Sequence, residues 1–232
     1  MFINYAKQYS DMPFVIMLDE DENGYKAGRF LRASDLGMSG ENNEWKPVIQ
    51  AKFSQQLLVP NGTMAHRWEE GKKWNLKLET EDGTPIDPML SMVESDYHVE
   101  TIQFPYFDSS GDGIFERPIA TRTIQLANGE EVKIATVYDL MTSQYGVQRF
   151  EHELEAISYD DASSKYTPAW QEQITGIKKE LVTKVAKEFA QNAIDTGGRS
   201  MIIMGAGINH WFNSDTISVS YTHLTLPTNR EV

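Results

Sequence analysis

A short apolar run, Met201 to Met204, is bracketed by Gly197-Gly198 on one side and Gly205-Ala206-Gly207 on the other. Bounded by glycines in this way, it reads as a buried strand. Upstream, Ile177, Leu181, Val185 and Phe189 recur every four residues, a spacing that makes one buried helical stripe. The opposite face carries Lys178, Glu180, Lys184 and Glu188, with Glu180 and Lys184 spaced as a favourable pair one turn apart. Thr196-Gly197-Gly198 ends that helix. Helix, glycine break, buried strand and polar glycine loop together form an αβ unit of a parallel sheet. The fold class that follows is α/β, in an α+β mixture.

The glycine loop runs directly into Ile208-Asn209-His210-Trp211. Glycines at a strand end let backbone N–H groups come close to a bulky ligand such as a phosphate. Asn209 and His210 would stand at the carboxyl end of the strand, where open α/β sheets place their ligands. A single Gly-x-Gly leaves two readings open, a ligand-contacting loop and an ordinary tight turn. The third glycine of the dinucleotide fingerprint is missing, as is an evident ribose-binding acid in a following βα unit, which argues against a free nucleotide-binding module on Gly205-Ala206-Gly207. Trp211 reads as core packing.

Before this unit, residues 45–137 have another character. Turn signals recur at Pro60-Asn61-Gly62, Glu81-Asp82-Gly83, Gly111-Asp112-Gly113 and Asn128-Gly129. Strand-like alternation lies between them, as in Trp74 to Leu78. Asn128-Gly129, flanked by Thr121 to Leu126 and Val132 to Val137, is a strong two-residue hairpin signal. The stretch reads as a β-rich, irregular insertion. Residues 1–44 form a framework piece, with a helix over Phe2 to Tyr9, a strand over Pro13 to Leu18 and an acidic surface turn from Asp19 to Gly24. Residues 138–217 form the helical unit that ends in the glycine loop. Within it, Thr167 is an N-cap, Pro168 the first helical residue, and Ile174-Thr175-Gly176 the break before the next helix. Asp108, Ser110 and Asp112 resemble a calcium loop, but Ile119 stands where its last acidic ligand is required, so a polar turn is expected.

Ser218 to Val232 abandons this logic. The segment resembles the conceptual translation of a transposase adapter used in sequencing libraries and is treated as a non-native tail, so no function is expected of Tyr221 or His223.

Composition narrows the chemistry. A net charge of −13, with 34 acidic residues and no basic patch, argues against nucleic acid. The absence of cysteine rules out disulfides, thiolate nucleophiles and iron–sulfur ligation from this chain alone. No window approaches about 18 uninterrupted apolar residues, so no membrane span is expected, and the amino end lacks a signal peptide's regions. His66, His98 and His152 lie in turn-rich or acidic surroundings with no ligand spacing between any two. They read as surface or locally hydrogen-bonded groups, and no metal ligand is expected.

Ordered motifs spread along residues 1–217 carry a resemblance. They are Gly28 to Leu36, Glu41-Asn42-Asn43-Glu44-Trp45-Lys46, Val59-Pro60-Asn61-Gly62, Lys73-Trp74-Asn75-Leu76, Phe104-Pro105-Tyr106-Phe107, Thr136-Val137-Tyr138-Asp139-Leu140 and Tyr166-Thr167-Pro168-Ala169-Trp170. They culminate in Gly198 to Ile203 and Gly205 to Trp211. Together they resemble an internal piece of the alpha subunit of membrane-bound respiratory nitrate reductases, in the dimethyl sulfoxide reductase superfamily.

The resemblance implies a partial molybdopterin-oxidoreductase domain and reduction of nitrate to nitrite. It implies a molybdenum held by two molybdopterin guanine dinucleotides, an amino-terminal [4Fe-4S] cluster, and electrons from quinol through an iron–sulfur beta subunit and a haem-bearing gamma subunit. It places the parent complex on the cytoplasmic face of the membrane and implies that Gly205, Ala206, Gly207, Asn209 and His210 line the pterin side, with His210 near the metal. The cluster motif and the segment bearing the molybdenum-ligating aspartate are absent, so the piece is expected to be inert alone and to expose faces that pack on missing strands. A chlorate or selenate reductase relative is the nearest competitor.

Overall fold

In the computed structural model, residues 2–61, 78–108, 111–147, 157–203, 205–215 and 217 are described. Trp74 to Lys77, His66, His152, Met204 and the tail from Ser218 lie outside them. The first helix, α1, spans Phe2–Tyr9 and leads into β1 (Val15–Asp21) and β2 (Gly24–Phe30). Asp19 to Asp21 thus continue the strand, and the acidic turn shrinks to Glu22-Asn23. Two short strands follow, β3 (Ile49–Gln50) and β4 (Leu57–Leu58), paired with each other. A long hairpin of β5 (His98–Asp108) and β6 (Gly111–Gln125) then turns through Asn128-Gly129 into β7 (Glu131–Thr136). The expected hairpin is present, but with Gln125 opposite Glu131 and Leu126 N–H bonded to the Glu130 carbonyl its loop is three residues, Ala127 to Gly129, rather than two, with Gly129 at φ +87°.

β1, β2, β5, β6 and β7 close into a five-stranded barrel. The closure is antiparallel between β1 and β7, from Val15 opposite Thr136 to Met17 opposite Ile134. Between β2 and β5 it is parallel, at Tyr25–Ile102 and Lys26–Gln103. Strands from both sides of residue 45 therefore share one sheet. Helix and strand are mixed as expected, but the described sheets are antiparallel apart from β2 with β5. The parallel αβ arrangement read from the sequence does not form among the described residues. Local hairpins such as β5–β6 and β6–β7 pair neighbouring segments, which parallel pairing cannot do without a crossover.

The barrel buries β1 on both faces. Val15 and Met17 pack with Leu31, Val48, Met92, Ala120 and Ile134, and Leu18 packs with Ile102, Phe104, Ile119 and Ala135. A four-residue apolar run with no polar alternation suits a strand covered on both sides. Opposite the irregularity between Ile16 and Leu18 sits Gly28, where a Cβ would come within 2.7 Å of the Met17 carbonyl oxygen. The glycine is required by close approach of backbone, not by an unusual dihedral.

The second helix, α2 (Val137–Gln144), is fastened to the barrel by a buried polar network. Thr136 caps it, accepting from the Asp139 N–H at 3.0 Å. The Asp139 carboxylate, fully buried, accepts from the Ser91 hydroxyl at 2.6 Å and the Met92 N–H at 2.8 Å. The Ser143 hydroxyl donates to the Pro118 carbonyl at 2.7 Å, joining the same helix to β6. Every donor here would be costly to leave unpaired in a dry interior.

The last third holds α3 (Pro168–Thr175), α4 (Lys179–Asp195) and the four-residue α5 (Ala206–Asn209). Thr167 caps α3 by accepting from the Trp170 N–H at 3.0 Å, Pro168 opens it, and Gly176 ends it at φ +72°. The sequence places all three residues in these roles.

Candidate functional site

The chain leaves α4 through Gly197 and Gly198, both with positive φ, and doubles back along the helix. The Gly198 N–H donates to the Ala193 carbonyl at 2.7 Å. Two residues on, the Ser200 hydroxyl donates to the Phe189 carbonyl at 2.9 Å, and Asn192 Nδ2 donates to the Ser200 oxygen at 2.8 Å. Met201 to Ile203 then run without forming a strand, and Met201 and Ile203 are 76% and 82% exposed. This corrects the expected buried strand. A buried parallel strand needs neighbours along its edges and cover on its faces, and no described strand of this chain pairs with the run.

The glycine loop that follows is open. Gly205 is the residue before α5, Ala206 and Gly207 form its first turn, and Asn209 ends it. The His210 N–H donates to the Gly207 carbonyl at 3.4 Å. The structure therefore brings Gly205, Ala206, Gly207, Asn209 and His210 into one short turn, and all five are exposed. Among the described residues a Cβ on Gly205 or Gly207 would meet nothing within 4 Å, so packing among them does not call for either glycine. Trp211 is 71% exposed rather than part of a core, and Phe212 beside it is 93% exposed.

The helix that precedes the loop shows the same openness. Ile177, Leu181 and Val185 are about half exposed, so the expected buried stripe is uncovered here. Lys184 lies 3.7 Å from Glu188, an ion pair one turn further along than the expected pairing with Glu180. Between α3 and α4 a cavity of about 540 Å³ is lined by Asp160, Glu172, Lys178 and Lys179 among others. Glu172 accepts from the Lys178 ammonium at 2.6 Å and from the Lys179 N–H at 2.9 Å, and so caps α4 from the preceding helix. These same partners, the Lys178 ammonium first, hold its carboxyl below the ordinary value. The cavity's charges are thus largely occupied with one another.

A second built region was not legible as a unit in the sequence. Ser163 and Ser164 hydroxyls, at 2.6 and 2.5 Å, donate to Asp161 and bring its carboxyl down to about 2. This tight turn presents Tyr166, a bulky residue at φ +65°, to three rings: Phe115, Tyr145 and Trp170, at 5.6, 5.6 and 5.2 Å between centroids. Lys165 lies 3.9 Å from the Tyr106 ring centre and Arg117 lies 4.7 Å from that of Phe115. Burial pushes the Arg117 guanidinium below its ordinary value. The cluster fastens the helices to the β5–β6 hairpin.

Among the described residues no group of three or more His, Cys, Asp or Glu is placed to hold a metal, and no helix is long and apolar enough to cross a membrane. His98 begins β5 on the surface and pairs across the sheet with Thr121.

No family model matches the chain. Individual relatives do. The nitrate reductase alpha chain of Bacillus subtilis is 50% identical over 226 residues, covering 97% of this chain. This chain is a homologue of nitrate reductase alpha chains. Respiratory nitrate reductase 1 alpha chain of Escherichia coli is 40% identical over 92% of the chain. The perchlorate reductase alpha subunit of Dechloromonas aromatica is 30% identical over 97%. The chain spans 18% of the length of the two nitrate reductase relatives. The similarity runs over nearly the whole chain, in keeping with the resemblance that the motifs from Gly28 to Trp211 carry.

Proposed function

We propose that the chain is a piece of the catalytic alpha subunit of a molybdenum nitrate reductase, and that its glycine loop forms one wall of the cofactor pocket. The observation that carries this reading is 50% identity across nearly the whole chain with a nitrate reductase alpha chain, against 30% with a perchlorate reductase subunit. The reaction takes nitrate, two electrons and two protons to nitrite and water. A bis(molybdopterin guanine dinucleotide) molybdenum centre would supply the two-electron redox chemistry when bound.

The residues present fit the organic part of such a group. Gly205 and Gly207 have open space where side chains would stand, so a flat ring or a phosphate can approach the backbone closely. The Asn209 carboxamide offers both a donor and an acceptor to a ring edge or phosphate. His210, exposed at the end of the same turn, is able to orient the oxyanion or supply a proton. Thiolate ligands for a cluster come from outside this chain, which has no cysteine, and the molybdenum-ligating aspartate belongs to the absent segment. Electrons reach the site from quinol through an iron–sulfur beta subunit and a haem-bearing gamma subunit, with the complex on the cytoplasmic face of the membrane. The piece by itself turns over no nitrate.

The test is His210→Ala in the full-length alpha subunit. The expected result is a fall in nitrate turnover of about 100-fold, the usual scale for losing a positioned acid, with molybdenum and pterin content retained. Unchanged turnover at full cofactor content would remove His210 from the reaction.

A further inference from the structure

The bearing on which the chain leaves α4 is held by side chains rather than by the turn itself. Gly197 and Gly198 stand at φ +69° and +100°, and glycines have no side chain to favour one bearing over another. A polar clasp closes around them. The Thr196 hydroxyl donates to the Asn192 carbonyl at 2.6 Å and accepts from the Arg199 N–H at 3.1 Å. Across the turn, the Asn192 carboxamide donates to the Arg199 carbonyl at 3.1 Å as well as to the Ser200 oxygen. With the Ser200 hydroxyl bonded to the Phe189 carbonyl, both arms of the turn are tied to the end of the helix.

Part of this is ordinary satisfaction of the carbonyls at a helix end. Ser200 goes further, because it is buried and no described residue beyond it is. It is therefore the last anchored point before the glycine loop, and Gly205 follows five residues later. We propose that Asn192 and Ser200 are positioning residues for that loop, setting the angle at which residues 205–210 meet the cofactor and the oxyanion. The inference rests on the proposed role of the loop, and the experiment separates the two. Neither side chain touches a reacting group, and each acts through the path of the backbone. Opening the clasp frees the glycine pair to pivot, and a small rotation there is multiplied along the run to Gly205. A misplacement on the order of 1 Å at a reacting centre costs about 100-fold in rate.

Asn192→Ala and Ser200→Ala are made singly and together in the full-length alpha subunit. Gln191→Ala is the control, since Gln191 bonds to Asp195 outside the clasp. Asn192 is exposed, so its variant keeps the test open even where the buried Ser200 change disturbs folding. Two quantities are read: hydrogen exchange of the amides of residues 206–210, and nitrate turnover per bound molybdenum. Each single variant speeds loop exchange about 10-fold and lowers turnover per molybdenum by about 10- to 100-fold. The double variant is no worse than either single one, because all three break the same clasp. Lost stability alone would lower the yield of loaded enzyme and leave turnover per molybdenum where it was. Unchanged loop exchange in both single variants overturns the clasp, whatever happens to turnover, and so does an equal response in the Gln191 variant. Faster exchange at unchanged turnover upholds the clasp and defeats the catalytic reading of the loop.

Discussion

In the barrel, Ile102, Ile119 and Ile134 lose all contact with water, whereas on α4 Leu181 and Val185 keep more than half their surface exposed. The side chains are chemically alike, and their surroundings are what differ. Barrel residues are enclosed by strands that this chain brings back to itself, with β7 returning to β1. Residues of α4 pack on one neighbouring helix and on the turn that follows them. The barrel thus holds itself together, while the helical region is organised locally, by caps and turns, and leaves Ile177, Leu181 and Val185 about half exposed. Stability and site-building are divided between the two regions accordingly.

That division is testable by substitution, and the largest effect belongs in the barrel. Asp139→Ala removes the acceptor of the buried Ser91 hydroxyl and Met92 N–H and should lower stability by about 3 kcal/mol. Chemical unfolding monitored by tryptophan fluorescence measures it, and a loss below about 1 kcal/mol would mean that water reaches the network. Thr167→Ala deletes the α3 cap and should cost about 1 kcal/mol. Its signature is a helical signal that melts earlier while the barrel transition stays in place, and coincident melting would show the two regions to be one unit. Leu181→Ala should cost less than about 0.5 kcal/mol in the 232-residue chain, against about 2–5 kcal/mol for the same truncation in a packed core. A loss in the core range, measured by the same unfolding curves, would erase the contrast altogether.

What could be read in the sequence follows the same line. Signals that act within a few residues were legible: Asn128-Gly129 at the β6–β7 turn, Thr167 and Pro168 at the start of α3, Gly176 at its end. So was the likeness to nitrate reductase alpha chains, because the motifs are spread from Gly28 to Trp211. Asp139 was visible only as part of a motif, since its partners Ser91 and Met92 lie far away in sequence. Barrel closure was invisible for the same reason. The strand expected at Met201 to Met204 failed differently: its composition and glycine borders are those of a strand, and the period survives at Ile202, but pairing is a property of neighbours. The five glycine-loop residues were found together in one turn, all of them exposed.

The closure of the barrel also has a consequence in time. The β5–β6 and β6–β7 hairpins join adjacent segments and can zip on the microsecond scale. Sealing the ring is another matter, for Val15 must find Thr136 and Tyr25 must find Ile102. Long intervening loops must be closed before any of those contacts is rewarded. During synthesis, β1 emerges first and waits for β7, with Val15 to Leu18 uncovered in the interval. Its acidic end, Asp19-Glu20-Asp21, is well suited to keep that waiting strand from pairing with another chain.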